Sequence, residues 1–172
     1  MRNNPLVRLL TGFLVVALAG ISAGAAGGAE VTACRASDLS ASVAFQGAAG
    51  SLLGGLSVGN HGPRACAIGG KPRLALFRAD GRRVTLVERP ADGRLPAVKA
   101  VRVLAPARSA TAWILWESYC GSLARRPFRF RATLTTGTRV SARTPGRLGI
   151  ACRAPSAKGR ARLALTGFEP AR

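Results

Sequence analysis

The sequence predicts an all-β fold: an antiparallel β-sandwich of about eight short strands, arranged as an immunoglobulin-like Greek key and preceded by an N-terminal signal helix. Three observations carry that prediction. Apolar and polar residues alternate in short runs, most cleanly over residues 128–135 (FRFRATLT). Glycine, proline and Asp-Gly turns separate the runs, and past the N-terminus no window of about ten residues holds a helical period. Four cysteines, at positions 34, 66, 120 and 152, follow a segment built like a secretory leader. A small barrel is the alternative architecture.

Residues 1–29 contain the three parts of such a leader. Arg2 and Arg8 supply positive charge, residues 9–21 (LLTGFLVVALAGI) are apolar, and Ala23-Gly24-Ala25 offers a small-x-small cleavage site. The apolar stretch fades into Ser, Gly and Ala, which makes it short for a membrane span. Cleavage is the expectation, with an uncleaved anchor as the alternative. Val31-Thr32-Ala33-Cys34 also fits the pattern that precedes a lipidated cysteine. Glu30 places a charge before it, however, and lipidation would leave an odd number of cysteines, so Cys34 is expected in a disulfide. Residues 30–172 then form a single disulfide-stapled domain, long enough to bury a core.

Export permits disulfides, and four cysteines allow three connectivities. The local pairs Cys34–Cys66 and Cys120–Cys152 are favoured. Each closes a loop of a little over thirty residues, worth about 3–4 kcal/mol in the chain-entropy view. No two cysteines have zinc-ligand spacing, and the single histidine, His61, is remote in sequence from Cys120 and Cys152, so no metal is expected.

The 26 Lys and Arg against 7 Asp and Glu give a net charge of +19, nearly all of it from arginine. Such an excess draws a protein to anionic surfaces. Coding bias in a GC-rich genome is the competing account, since Arg, Ala, Gly and Pro rise together while lysine occurs only at positions 71, 99 and 158.

In chain order, Asp38-Leu39-Ser40 leads into a short strand at Val43-Ala44-Phe45 that ends at Gly47. Gly50 and Gly54-Gly55 punctuate the next strand, which reaches Val58; glycines there mark bulges or close backbone approach. No Gly-Lys-Ser/Thr follows them, which excludes a phosphate-cradling loop. His61 sits in the turn Asn60-His61-Gly62-Pro63, where a solvated role outweighs a catalytic one. A strand begins at Cys66, and another runs through Leu74 and Leu76 on one side and Ala75 and Phe77 on the other. Asp80-Gly81 turns the chain, and Val84 and Leu86 resume the alternation. Residues 89–96 (RPADGRLP) form a loop, and Val101 and Val103 a strand stopping before Pro106.

Residues 110–116 (ATAWILW) are the most apolar window after the leader and fit a central strand covered on both faces. Trp113 and Trp116 fall on opposite faces, so core packing outweighs a stacking platform. In residues 128–135, Phe128, Phe130, Ala132 and Leu134 face the core, while Arg129, Arg131, Thr133 and Thr135 face solvent. With Arg125 and Arg126 just upstream, Arg129 and Arg131 form the densest basic ribbon in the chain and the candidate anion-binding surface. A solubility face guarding a sheet edge is the plainer reading of the same charges. Thr136-Gly137 turns the chain towards Val140, and a last strand at Leu163-Ala164-Leu165 closes before Pro170.

These motifs resemble an exported actinobacterial family known as domain of unknown function 4232. The resemblance lies in Cys34 followed by Asp38-Leu39, Asn60-His61-Gly62 before Cys66, and Gly70-Lys71-Pro72 ahead of Ala79-Asp80-Gly81. It continues through Leu104-Ala105-Pro106, Ser109-Ala110, Trp116 and Tyr119-Cys120-Gly121, and spans most of residues 34–170. Lys71 and Ala107 depart from the pattern. The resemblance implies export, a β-sandwich and an envelope setting, and it brings no catalytic residues.

The expected role is therefore a non-catalytic exported domain of the cell envelope, without cofactor or metal. Its expected partner is an anionic cell-wall polymer, a membrane surface or an envelope protein. A secreted hydrolase is the alternative, resting on Glu117 beside Trp116 as the acid most embedded in apolar sequence. No Ser/His/acid order or paired-acid motif supports it. Affinity for nucleic acid, where present, is expected to be sequence-blind and steeply salt-dependent.

Overall fold

The computed structural model describes residues 31–48, 51–90, 93–98, 100–117, 128–144 and 161–171. The leader, Cys120, Cys152, Arg125 and Arg126 lie outside the described residues. Within them the protein is all-β. A 3-10 turn (Ala36–Asp38) precedes β1 (Leu39–Ala48), β2 (Ser51–Asn60), β3 (Cys66–Ala67), β4 (Arg73–Arg78), β5 (Arg83–Val84) and β6 (Leu86–Arg89). There follow β7 (Val103–Leu104), β8 (Ser109–Glu117), β9 (Phe128–Thr133), β10 (Arg139–Arg143) and β11 (Ala161–Pro170). Eleven strands stand where about eight are expected, because β3, β5 and β7 are two-residue pieces.

The strands form a five-stranded sheet, ordered β1-β2-β8-β11-β6, a four-stranded sheet, ordered β10-β9-β4-β5, and the small pair β3-β7. Pairing is antiparallel with one exception among these strands: β6 runs parallel to β11. The cause is topological. The chain leaves the four-stranded sheet at Val84 and enters the five-stranded sheet at Leu86, with Thr85 as the crossing residue, and joins the open edge of β11 in the direction it is travelling.

One apolar core joins the inner faces of the two larger sheets. Strict alternation builds it: β2 is buried at every second residue, and β9 buries Phe128, Phe130 and Ala132 while exposing Arg129 and Arg131. At its centre Phe45 and Trp116 of the five-stranded sheet meet Phe128 and Phe130 of the four-stranded sheet. Ring centroids lie 5.5–6.2 Å apart, mostly edge to face. Strand β8 is central, as its apolar run predicts. Trp116 lies in this core, whereas Trp113 lies on the other face with Leu53, beside a small cluster of Leu95, Leu115 and Ala164.

Gly54-Gly55 does not bulge β2; its register against β1 is unbroken from Leu39↔Asn60 to Ala48↔Ser51. The glycine serves close approach instead. A Cβ at Gly54 would collide with the Ala44 carbonyl oxygen and the Phe45 ring, which occupies the space a side chain would need. The one register shift in the five-stranded sheet falls between Leu165 and Phe168 of β11. There the Thr166 hydroxyl accepts the Trp113 N–H at 2.8 Å and donates to the Gly167 carbonyl at 2.8 Å, so the irregularity leaves the Trp113 amide paired.

Candidate anion-binding face

The alternation that buries the phenylalanines of β9 sends its arginines outward, and the neighbouring strands do the same. Strand register then sets the face out in rows. Arg143 of β10, Arg129 of β9, Phe77 of β4 and Arg83 of β5 are successive cross-strand partners. Ser141, Arg131 and Ala75 form the next row, and Arg139, Thr133 and Arg73 the one after. Six arginines (73, 83, 129, 131, 139 and 143) thus share the outer face of the four-stranded sheet, all of them exposed. The Arg131 guanidinium lies 4.7 Å from the centroid of the half-buried Phe77 ring, which holds one cation flat against the sheet.

Among the described residues no carboxylate faces these cations. The ion pairs among the described residues are Lys71–Glu88 and Arg94–Glu117, and neither involves the six. Glu88, Glu117 and Glu169 belong to the five-stranded sheet, and Asp80, in the β4–β5 turn, accepts the Arg82 N–H at 2.9 Å. Like charges directly opposite on neighbouring strands destabilise a sheet by about 0.2–1 kcal/mol. The face therefore opposes folding slightly and favours any anion that neutralises it.

At one end of this sheet the face deepens into a cavity of about 330 Å3 lined by Arg78, Arg129, Arg143, Phe128 and Thr144. Thr144 is buried, and its hydroxyl both accepts the Phe128 N–H at 2.8 Å and donates to the Phe128 carbonyl at 3.1 Å, extending the ladder by one residue. Arg78, Arg129 and Arg143 bring three guanidinium groups to its lining. Planar guanidinium groups pair bidentately with phosphate or carboxylate.

Of the residues singled out in the sequence, the structure brings Arg129 and Arg131 into this face; Arg125 and Arg126 fall outside the described residues. Arg73, Arg83, Arg139 and Arg143 were not anticipated. Their signal is present, since RLALFR and RVSAR alternate just as FRFRAT does, but which strands are neighbours is not written in any one of them. Cys34 and Cys66 form a disulfide with a Cα–Cα distance of 4.8 Å. Glu117 is paired with Arg94, and exposed His61 bonds through Nε2 to the Ser37 carbonyl at 2.8 Å.

Asn60 has a role the sequence did not reveal. It is buried, and its amide donates to the Arg64 carbonyl at 2.8 Å and the Leu104 carbonyl at 3.0 Å while accepting the Gly62 N–H at 2.9 Å. It ties the turn before Cys66 to β7. The Asn-x-Gly pattern is thus a folding device next to the disulfide.

No curated protein and no solved structure matches the chain. Residues 34–163 match one family model, from the first cysteine of the disulfide into the last strand. The chain belongs to the family Domain of unknown function (DUF4232).

Proposed function

We propose that this chain is an exported, non-catalytic domain of the cell envelope, an immunoglobulin-like β-sandwich that binds an anionic wall polymer through the outer face of its four-stranded sheet. One observation carries the reading: six exposed arginines in register on one face with no carboxylate opposite them among the described residues. Arginines also occur in the five-stranded sheet, at Arg89 and Arg162, but six in register on one face fit an anionic partner better than scatter from coding bias does. The leader at residues 1–29 and the Cys34–Cys66 disulfide favour an oxidising, extracytoplasmic setting. The pairing of β2 with β8 and of β4 with β9, strands distant in sequence, is in keeping with a Greek key.

The test is retention of the purified exported protein on an immobilised phosphodiester polymer across a salt series. The reading expects binding at low ionic strength that weakens steeply as salt rises. It further expects the quadruple variant R129Q/R131Q/R139Q/R143Q to lose retention. Binding that ignores salt, or a quadruple variant that elutes with the wild type, would sink it. Mass spectrometry of the mature N-terminus tests the leader, with cleavage near residues 25–29 expected.

A further inference from the structure

The two larger sheets do not meet equally at their two edges. On one side β1 lies against β10, so the long first strand covers the margin of the four-stranded sheet. On the other side the margins are the two-residue β5 and the four-residue β6, joined by the single crossing residue Thr85. These short strands leave a cavity of about 550 Å3 open to solvent. Its walls are inner-face side chains of both sheets: Leu74 and Val84 on one, Leu86, Leu163 and Leu165 on the other. Leu74 and Leu86 are only half-buried, apolar surface that the fold brings to the core's margin without covering.

The polar groups at this cavity are not arbitrary. Arg73 and Arg83, members of the cationic face, stand at its rim beside the apolar walls. Glu88 also borders it, but its charge is engaged by Lys71. A cavity with an apolar interior, a cationic mouth and, among the described residues, no competing free carboxylate selects for an elongated apolar molecule ending in an anion. Its size falls in the range of about 300–1,000 Å3 usual for small-molecule sites. We propose that this cleft binds a fatty-acid-like anionic amphiphile, with the acyl chain between the sheets and the carboxylate on Arg73 and Arg83. The inference shares Arg73 and Arg83 with the polymer reading, but its apolar walls play no part in that reading.

Calorimetric titration of the purified protein with dodecanoate and with dodecanol tests the proposal. Dodecanoate is expected to bind at one molecule per chain, and dodecanol about tenfold or more weakly, because the alcohol cannot form the charge-assisted bonds. R73Q/R83Q changes only surface residues and is expected to reduce dodecanoate binding to the dodecanol level. Leu86→Trp, which fills the mouth from its rim, is expected to abolish binding of both while leaving retention on the phosphodiester polymer unchanged. Phosphatidylglycerol vesicles form a parallel arm. Vesicle binding displaced by dodecanoate supports the proposal with a bilayer lipid as source, and dodecanoate binding without it supports a free amphiphile. No saturable dodecanoate binding, equal affinity for the two ligands, or binding that survives Leu86→Trp overturns the proposal. In each of those cases polymer retention still reports separately on the arginine face.

Discussion

Arg129 and Arg143 stand directly opposite each other on β9 and β10, with no acid in the row they share with Phe77 and Arg83. The pair works against the sheet that carries it. Arg143→Glu replaces a repulsion with a cross-strand ion pair, so the variant is expected to gain about 0.2–1 kcal/mol in stability. Urea denaturation at low salt reads that gain, and added salt is expected to shrink it. The same variant is expected to bind an anionic polymer less well. A variant that loses stability would mean that the cross-strand register is wrong.

Asn60 satisfies three backbone groups with one buried side chain. Asn60→Ala leaves the Gly62 N–H and the Leu104 carbonyl without partners in a buried site, and the Arg64 carbonyl at its edge. A loss of about 2–3 kcal/mol is expected, measured by denaturant unfolding. A change within about 0.5 kcal/mol, the range of ordinary surface substitutions, would show that the turn holds without it.

The Cys34–Cys66 bridge closes a span of 32 residues that contains β1, β2 and the turn at Asn60. The double variant Cys34→Ala/Cys66→Ala is expected to lose about 3–4 kcal/mol through the freedom returned to the unfolded chain. The thermal midpoint of the variant, compared with the oxidised wild type, checks this. The bridge also has local support, because Cys34 N–H bonds to the Ala67 carbonyl at 3.0 Å and the Thr138 hydroxyl donates to the Cys34 carbonyl at 2.6 Å.

Gly54 is held by close approach and not by an unusual backbone angle. Gly54→Ala places a methyl group against the Ala44 carbonyl and the Phe45 ring, so β1 and β2 must part or Phe45 must leave its aromatic neighbours. A loss of about 1–3 kcal/mol is expected from the overpacking. Gly81→Ala is a useful contrast: a Cβ there meets nothing, and only its positive φ of 82° is strained. Its expected cost is smaller, about 1 kcal/mol. Equal costs in the two variants would remove the packing explanation for Gly54.

Much of the fold was legible because alternation is a local property. FRFRAT states which side chains of β9 are buried, and ATAWILW states that β8 lies inside its sheet, although its second face, with Thr111 and Trp113 half-buried, is only partly covered. Asp80-Gly81 and Thr136-Gly137 mark turns, and both glycines have positive φ as such turns require. Where the sequence left two outcomes open, the local chemistry was shared by both. Gly54-Gly55 in a strand fits a bulge as well as a close approach, and only Phe45 across from Gly54 decides between them.

From residue order alone came the all-β class, the strand faces and a cationic excess, since each follows from a residue and its immediate neighbours. Only the folded chain decided that β4, β5, β9 and β10 lie side by side and so gather six arginines on one face. It alone placed Asn60 beneath the disulfide turn and left a cleft where β5 and β6 are too short to close the core. The physical reason is that pairing between strands distant in sequence is set by the whole of the buried surface, and no short stretch encodes which partner completes it.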